Sequence, residues 1–405
     1  MQIDLKGKSV LLAVTGSISA YKACDLARLF VKAGASVHVV MTASAQRFVS
    51  ALTFEALTRN AVLTEESESW ANTLNHIDIS KACDIFVIAP ASANTLNKLS
   101  RGIADNILTQ TALAYKKPIL LAPSANTQML LHPASAKSLK KLKKYGYNIV
   151  QPQSKILACG DFGSGALAEV SEIFFESSRL LLKEDFWDKR EVIVTGGGTR
   201  EKIDEVRYIS NFSSGKMAKA LVLSLYLKGA KVYYLSTMGF EGVPLSIKTI
   251  DIEDAKEMFE ATQEAIEKTK KKKMPYLFMV SAVADFTPSF PQKGKLKKKM
   301  LGDNWNIKLK QTTDILANLD KSKIKTIGFK AEMDSEEGLN NAKKLLSEKN
   351  VDAVCYNLLR DAKSFGGEHN EITFITKDQQ KALGYADKFT LANKILTQAK
   401  AVLNG

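Results

Sequence analysis

Two similar strings each set an asparagine just past an apolar run. Ala89-Pro90-Ala91-Ser92-Ala93-Asn94-Thr95 follows the run that begins at Ile85, and Ala122-Pro123-Ser124-Ala125-Asn126-Thr127-Gln128-Met129 follows the run that begins at Pro118. Short apolar runs bounded by turn residues read as buried strands, and in open parallel sheets ligands sit beyond the carboxyl ends of the strands. Farther along, Cys159 lies in a glycine-rich run ending at Gly165, and His76 stands isolated in a polar stretch. Together these groups suggest a thiol acid and an imidazole base around a bound aromatic cofactor. Each also has a plainer reading. His76 would be a surface histidine, Asn126 the cap of a turn and Cys159 a small buried side chain. The glycines around Cys159 favour an exposed thiol on a flexible flap, whereas Cys355, between Val354 and Tyr356, reads as core, as does Cys24 on an apolar-spaced helix.

The elements that must hold these groups come from a pattern that occurs twice. Ser9–Thr15 reads as a buried strand, Gly16–Ala20 as a tight turn, Tyr21–Ala33 as a helix and Val37–Met41 as the next parallel strand, which makes one βαβ unit. Near residue 190 the pattern restarts, with Glu191–Thr195 as strand, Gly196–Thr199 as turn and Lys231–Leu235 as the strand after a helix. The expectation is an α/β chain of two Rossmann-like domains with parallel sheets, 1–187 and 188–405, divided where periodicity breaks between Lys183 and Arg190. Neither opening turn is a G-x-G-x-x-G. Gly16-Ser17-Ile18-Ser19 offers hydroxyls as well as backbone N–H groups at a helix start, which suits one phosphate better than a pyrophosphate. A mononucleotide such as FMN therefore fits better than NAD, and Thr42 and Ser44 add small polar groups on the same sheet edge.

A chain of 405 residues with 45% hydrophobic content exceeds one ordinary domain and can fill real cores. It has no run of about 18 apolar residues and no apolar signal core at its start, so no membrane span and a cytoplasmic location are expected. The scattered Cys24, Cys83, Cys159 and Cys355 argue against both a disulfide framework and a zinc site. The formal charge of +14 concentrates in 137–144, 268–273 and 293–299. The first two read as solvated helix faces or connectors. The third follows a strand end at Tyr276–Val280 and the loop Ser281–Pro288, where lysines would grip phosphates, although a solvated basic loop is its plainer reading. Without interleaved aromatics or a recognisable module, the charge does not indicate nucleic acid.

Taken in order along the chain, the strings resemble the bifunctional phosphopantothenoylcysteine decarboxylase/phosphopantothenate–cysteine ligase family of coenzyme A biosynthesis, over nearly the whole length. In the first half the likeness rests on Gly16–Lys22, Asn75–Ile79, Ala89–Thr95, Gly102–Asn106 and Ala158–Gly160. In the second it rests on Thr195–Glu201, Val206–Lys216, Ala282–Asp285, Lys295–Lys298 and Gly328–Glu332. Two strings depart from the family. Pro-Ala-Met-Asn-x-x-Met is here Pro123-Ser124-Ala125-Asn126-Thr127-Gln128-Met129, and Asn-Pro-Asp-Ile is here Thr312-Thr313-Asp314-Ile315.

The resemblance implies an N-terminal flavoprotein-type domain and a C-terminal ligase-type domain. A cysteine carboxylate has no adjacent carbonyl to take the electrons it leaves behind. Hydride transfer to FMN from the carbon bearing sulfur makes a thioaldehyde sink, and hydride return after decarboxylation gives the saturated product. The family places His76 in oxidation and decarboxylation, Asn126 on the substrate carboxyl and Cys159 as proton donor in the reductive step, with Gly16, Ser17, Ser19, Thr42, Ser44, Ser92 and Asn94 around FMN. In the ligase half it implies CTP as co-substrate and an acyl-cytidylate attacked by cysteine, with Arg207 and Asn211 handling that intermediate. Lys295 and Asp285 meet the phosphates, Asp285 also as a Mg²⁺ ligand, and Phe329 walls the base. Thr313, Asp314, Ile315, Leu316, Lys343 and Lys349 are the remaining nucleotide-side positions. The partners implied are 4′-phosphopantothenate, cysteine and CTP, in a homo-oligomer of flavin-domain trimers and ligase-domain dimers. The alternative is a catalytically silent flavoprotein acting as a regulatory binding subunit.

Overall fold

The computed structural model describes residues 3–156, 160, 162–269, 272–297, 304–359 and 366–403. The chain forms two compact units that meet between Leu182 and Lys183. That is earlier than the expected division after 187, because Trp187 is fully buried and sets its ring 5.2 Å from that of Tyr276, a residue of the second unit.

In the first unit, strands β1 (Ser9–Val14), β2 (Ser36–Met41), β3 (Val62–Leu63), β4 (Ile85–Ala91), β5 (Ile119–Pro123) and β6 (Asn148–Ile149) form one sheet. Its order is β3-β2-β1-β4-β5-β6 and every pairing is parallel. The continuous apolar runs are explained by helices on both faces, which leave no solvent side along β1 or β4. On one face Phe86, Ile88 and Leu121 pack with Leu96, Leu99 and Leu108. Helices Lys22–Lys32 and Val170–Leu182 also pack against each other, with Phe30 and Phe174 rings 5.3 Å apart. The strand order reverses between β1 and β4, so the crevice opens there, at the carboxyl ends. A hairpin of β7 (Gln153–Ile156) and β8 (Phe162–Ala166) follows the sheet.

The second unit repeats the arrangement. Strands β9 (Glu191–Gly196), β12 (Lys231–Ser236), β13 (Lys248–Asp251), β14 (Tyr276–Met279), β17 (Lys325–Glu332) and β18 (Ala353–Leu358) pair in parallel in the order β13-β12-β9-β14-β17-β18. Its switch point lies between β9 and β14. The expected parallel sheet is extended by two antiparallel strands, β19 (His369–Ile375) and β20 (Gln380–Asp387). Two small antiparallel pairs stand apart from the sheet, β10 (Arg200–Lys202) with β11 (Tyr208–Ser210) and β15 (Phe286–Pro288) with β16 (Leu309–Gln311). Strands this short carry too few residues for alternation to show in the sequence. Among the described residues no helix is long and apolar enough to cross a membrane.

Candidate active sites

The carboxyl ends of β1, β2, β4 and β5 surround a cavity of about 810 Å³. Gly16, Ser17, Ser19, Thr42, Ser44, Ser92, Asn94 and Asn126 all line it. Their local structure explains the recurring small polar residues. Thr42, Ser92 and Asn126 are helix N-caps whose side chains accept from the N–H groups of Ala45, Thr95 and Gln128. Thr15 Oγ1 donates to Pro90 O at 2.7 Å and accepts from Ser92 N at 3.0 Å, which ties the ends of β1 and β4 together. Gly16 is required sterically, since a Cβ there would lie 2.6 Å from Ser44 Cβ.

Ser124 gives the first departure from the family a structural role. Its hydroxyl lies 2.9 Å from that of Ser19 and 3.4 Å from that of Ser17, so three hydroxyls bridge the β1 turn and the end of β5. Lys22 and Lys155 also line the cavity, and burial together with the neighbouring Lys155 charge lowers the Lys22 pKa from its ordinary value. Neither lysine stands out in sequence, because one opens an ordinary helix and the other lies on a short strand.

His76 does not line this cavity. It opens the helix His76–Ala82, with Nδ1 2.6 Å from Glu68 Oε1 and its ring edge-on to Trp70. Cys159 lies outside the described residues. The glycines that follow it are needed for close packing, because a Cβ on Gly165 would fall 2.1 Å from Ala125 O, and Gly165 O accepts from Ala125 N at 3.1 Å. The β8 strand is thereby docked against the residue next to Asn126. Gly165→Ala is expected to cost about 1–3 kcal/mol of stability in denaturant unfolding, since backbone on both sides must move.

In the second unit a cavity of about 1180 Å³ opens at the β9/β14 switch point. Asn211, Asp285, Thr313, Asp314, Ile315, Leu316, Phe329 and Lys349 line it. The glycine triplet serves this approach, because a Cβ on Gly198 would stand 2.7 Å from Asn211 O. The loop that carries Asp285 is fixed by threonines. Thr195 Oγ1 accepts from Val280 N and Ser281 N, Thr199 Oγ1 accepts from Ala284 N, and Thr312 Oγ1 donates to Ala284 O at 2.6 Å. Thr312 belongs to the second departure from the family, and its hydroxyl anchors the turn directly. Lys349 Nζ lies 2.5 Å from Asp314 Oδ2. Burial works to raise the Asp314 pKa, but the bond from Lys349, the N–H of Ala317 and the charges of Lys349 and Lys321 hold it below its ordinary value.

Three expected residues lie elsewhere. Lys343 is exposed on the helix Ser335–Glu348, whose inner face is marked by Ala342 and Leu346. Arg207 and Lys295 sit outside the cavity lining, on segments that meet each other. The cavity also has a wall that motif reading missed, made by Lys216, Asn357, Asn370 and Lys388. Asn357 Oδ1 is buried without a protein partner among the described residues, and burial together with the Lys216 charge pushes the Lys388 pKa down. The first and last of these positions, 216 and 388, are 172 residues apart, and only the fold brings them together. No cluster of three or more metal-ligating side chains occurs among the described residues.

Residues 2–181 match the flavoprotein family model, and residues 187–403 match the model for the DNA/pantothenate metabolism flavoprotein C-terminal domain. The chain is 36% identical over 406 residues to the coenzyme A biosynthesis bifunctional protein CoaBC of Bacillus subtilis (strain 168), with 98% of each chain covered. It is 34% identical over 401 residues to the protein of that name from Haemophilus influenzae, again with 98% of each covered. For the protein of that name from Borreliella burgdorferi the identity is 32% over 394 residues, covering 96% of this chain and 98% of the other. With both halves matched in order and nearly end to end, the chain belongs to the family of bifunctional coenzyme A biosynthesis proteins.

Proposed function

We propose that the chain ligates 4′-phosphopantothenate to cysteine at the second crevice, with CTP as co-substrate, and decarboxylates the 4′-phosphopantothenoylcysteine product at the first. The observation that carries this is the presence of two separate switch-point cavities, each lined by part of the polar set its own reaction needs, Asn126 in the first and Asn211 and Asp285 in the second.

At the first cavity the residues fit FMN. The turn closed on Ser44 at Gly16, with hydroxyls of Ser17 and Ser19 beside it, suits a single phosphate, and 810 Å³ lies within the usual size of cofactor sites, roughly 300–1,000 Å³. FMN would supply a reversible hydride acceptor. Asn126 then orients the substrate carboxyl, while Lys22 and Lys155 offer positive charge to the anionic substrate. His76 is assigned the proton transfer that accompanies oxidation. Its place outside the lining supports completion of the site by a second copy of the flavin domain, and we extend this to a trimer. Cys159 is assigned the proton that completes the product.

At the second cavity, Phe329 and the Asp314–Lys349 pair face the nucleotide. Asp285 and the phosphates would hold Mg²⁺ together, in keeping with an ion that uses one or two protein carboxylates. Asn211 donates to Val283 O at 3.1 Å, which ties it to the loop carrying Asp285, and it is assigned the holding of the acyl-cytidylate during attack by cysteine. The ligase domains are proposed to pair as dimers. Free Cys24, Cys83 and Cys355 fit a cytoplasmic enzyme.

The decisive experiment is mass spectrometry of products formed from phosphopantothenate, cysteine and CTP with Mg²⁺. It is expected to show 4′-phosphopantetheine, carbon dioxide and pyrophosphate; a bound flavin without turnover would instead support the silent regulatory subunit. The protein is also expected to purify yellow with non-covalent FMN, and Gly16→Val to purify colourless. A yellow Gly16→Val protein would remove the assigned phosphate turn.

A further inference from the structure

Arg207 and Lys295 are far apart in sequence and lie outside the ligase cavity, yet one buried carboxylate joins the segments that carry them. The Asp204 side chain is fully buried and accepts from five donors: Val206 N at 2.9 Å, Arg207 N at 2.8 Å, Arg207 Nε at 3.1 Å, Arg207 Nη2 at 2.5 Å and Leu296 N at 3.1 Å. Arg207 Nη2 also donates to Leu296 O at 3.0 Å, and its guanidinium lies over the Trp305 ring at 4.6 Å. Backbone bonds from Gln292 N to Ile203 O and from Glu205 N to Gly294 O run alongside. The turn between β10 and β11 and the segment 292–297 therefore meet around a single anion.

We propose that Asp204 is a positioning residue of the ligase reaction: it locks Arg207 to the Lys295 segment, so that both cations approach the acyl phosphate as one unit. This rests on the ligase reading of the second crevice. All five neighbours are donors, so both oxygens must accept. An asparagine of the same shape would turn an N–H₂ group toward a donor whichever way it was placed. The bond from Arg207 and those from the Val206, Leu296 and Arg207 backbone also hold the Asp204 carboxyl well below the usual carboxylate range, so it is charged throughout the working range of the enzyme.

The test uses full-length parent, Asp204→Asn and Leu296→Pro proteins. The second variant removes the Leu296 N–H, together with the leucine side chain and the backbone freedom at 295 and 296, while leaving the Asp204 and Arg207 side chains in place. Acyl-cytidylate is measured from CTP and 4′-phosphopantothenate, amide is measured after cysteine is added, and tryptic cutting after Lys293 and Lys297, the sites kept in every variant, is timed without substrates. A parent that forms no acyl-cytidylate overturns the ligase reading itself. With an active parent, Asp204→Asn is expected to slow both steps roughly tenfold or more at saturating CTP, with KM for CTP held within about threefold, and to speed cutting by a similar factor. In an Arg207→Gln background it should slow amide formation less than about threefold further, because its effect there passes through the arginine. Leu296→Pro should slow acyl-cytidylate formation more than amide formation. Rates within about threefold of the parent in both variants overturn the proposal, as does a rise in KM for CTP that accounts for the whole loss.

Discussion

Asn126→Asp is expected to lower decarboxylation of 4′-phosphopantothenoylcysteine by on the order of a hundredfold or more, while the protein keeps its fold and its flavin. The substitution separates the two uses of this side chain. As N-cap of Thr127–Leu131, Asn126 accepts from Gln128 N at 2.8 Å, and aspartate caps a helix equally well. Toward the cavity the outcome is opposite, because an amide that can donate becomes an anion facing the substrate carboxylate. Losing a hydrogen bond to a charged group costs about 1.5–3 kcal/mol, and like-charge repulsion adds to it. Carbon dioxide release and thermal melting should be measured on the same preparation. Parental turnover would sink the carboxyl-binding role, and a lowered melting temperature would return Asn126 to the cap alone.

Lys295→Gln is expected to suppress acyl-cytidylate and pyrophosphate formation together, with a loss of about 2–4 kcal/mol in barrier stabilisation, or on the order of a hundredfold or more in rate. Lys295 is exposed on the segment held to Asp204, outside the cavity lining, so its contribution should appear in the chemical step more than in CTP binding. Asn211→Asp should behave differently, since it places a negative charge beside an anionic intermediate and impairs its holding and attack. Both variants are run with phosphopantothenate and CTP, and cysteine is added second. Equal intermediate formation by Lys295→Gln and the parent would return the basic loop to a solvated surface.

Much of this architecture is legible in the chain. Apolar runs at Ser9–Val14, Ile85–Ala91 and Glu191–Gly196 had to be buried strands, because continuous apolar residues demand cover on both faces. Gly16 and Ser92, just beyond the first two, and Asn126, beyond the similar run Ile119–Pro123, then had to stand near strand ends. Local sequence fixes that much because a strand, its turn and the following helix cap are adjacent in the chain. Asp314, another cap, and Phe329, inside the strand Lys325–Glu332, were marked by the family resemblance and not by local pattern.

Tertiary structure decided what depends on contacts across the sheets. Whether a lysine reaches a cavity follows from helix rotation and sheet order: Lys349 reaches Asp314, whereas Lys343, on the same stretch of chain, faces outward. The wall of Lys216, Asn357, Asn370 and Lys388 exists only because β18 and β19 lie side by side and two helices begin beside them. No motif in the sequence analysis singles out Asp204, and its burial follows only from the 292–297 segment folding over it. Periodicity reports the environment along one element, while charges such as these acquire their role from distant partners, 35 residues away for Lys349 and Asp314 and 92 for Asp204 and Leu296, to which no local pattern is sensitive.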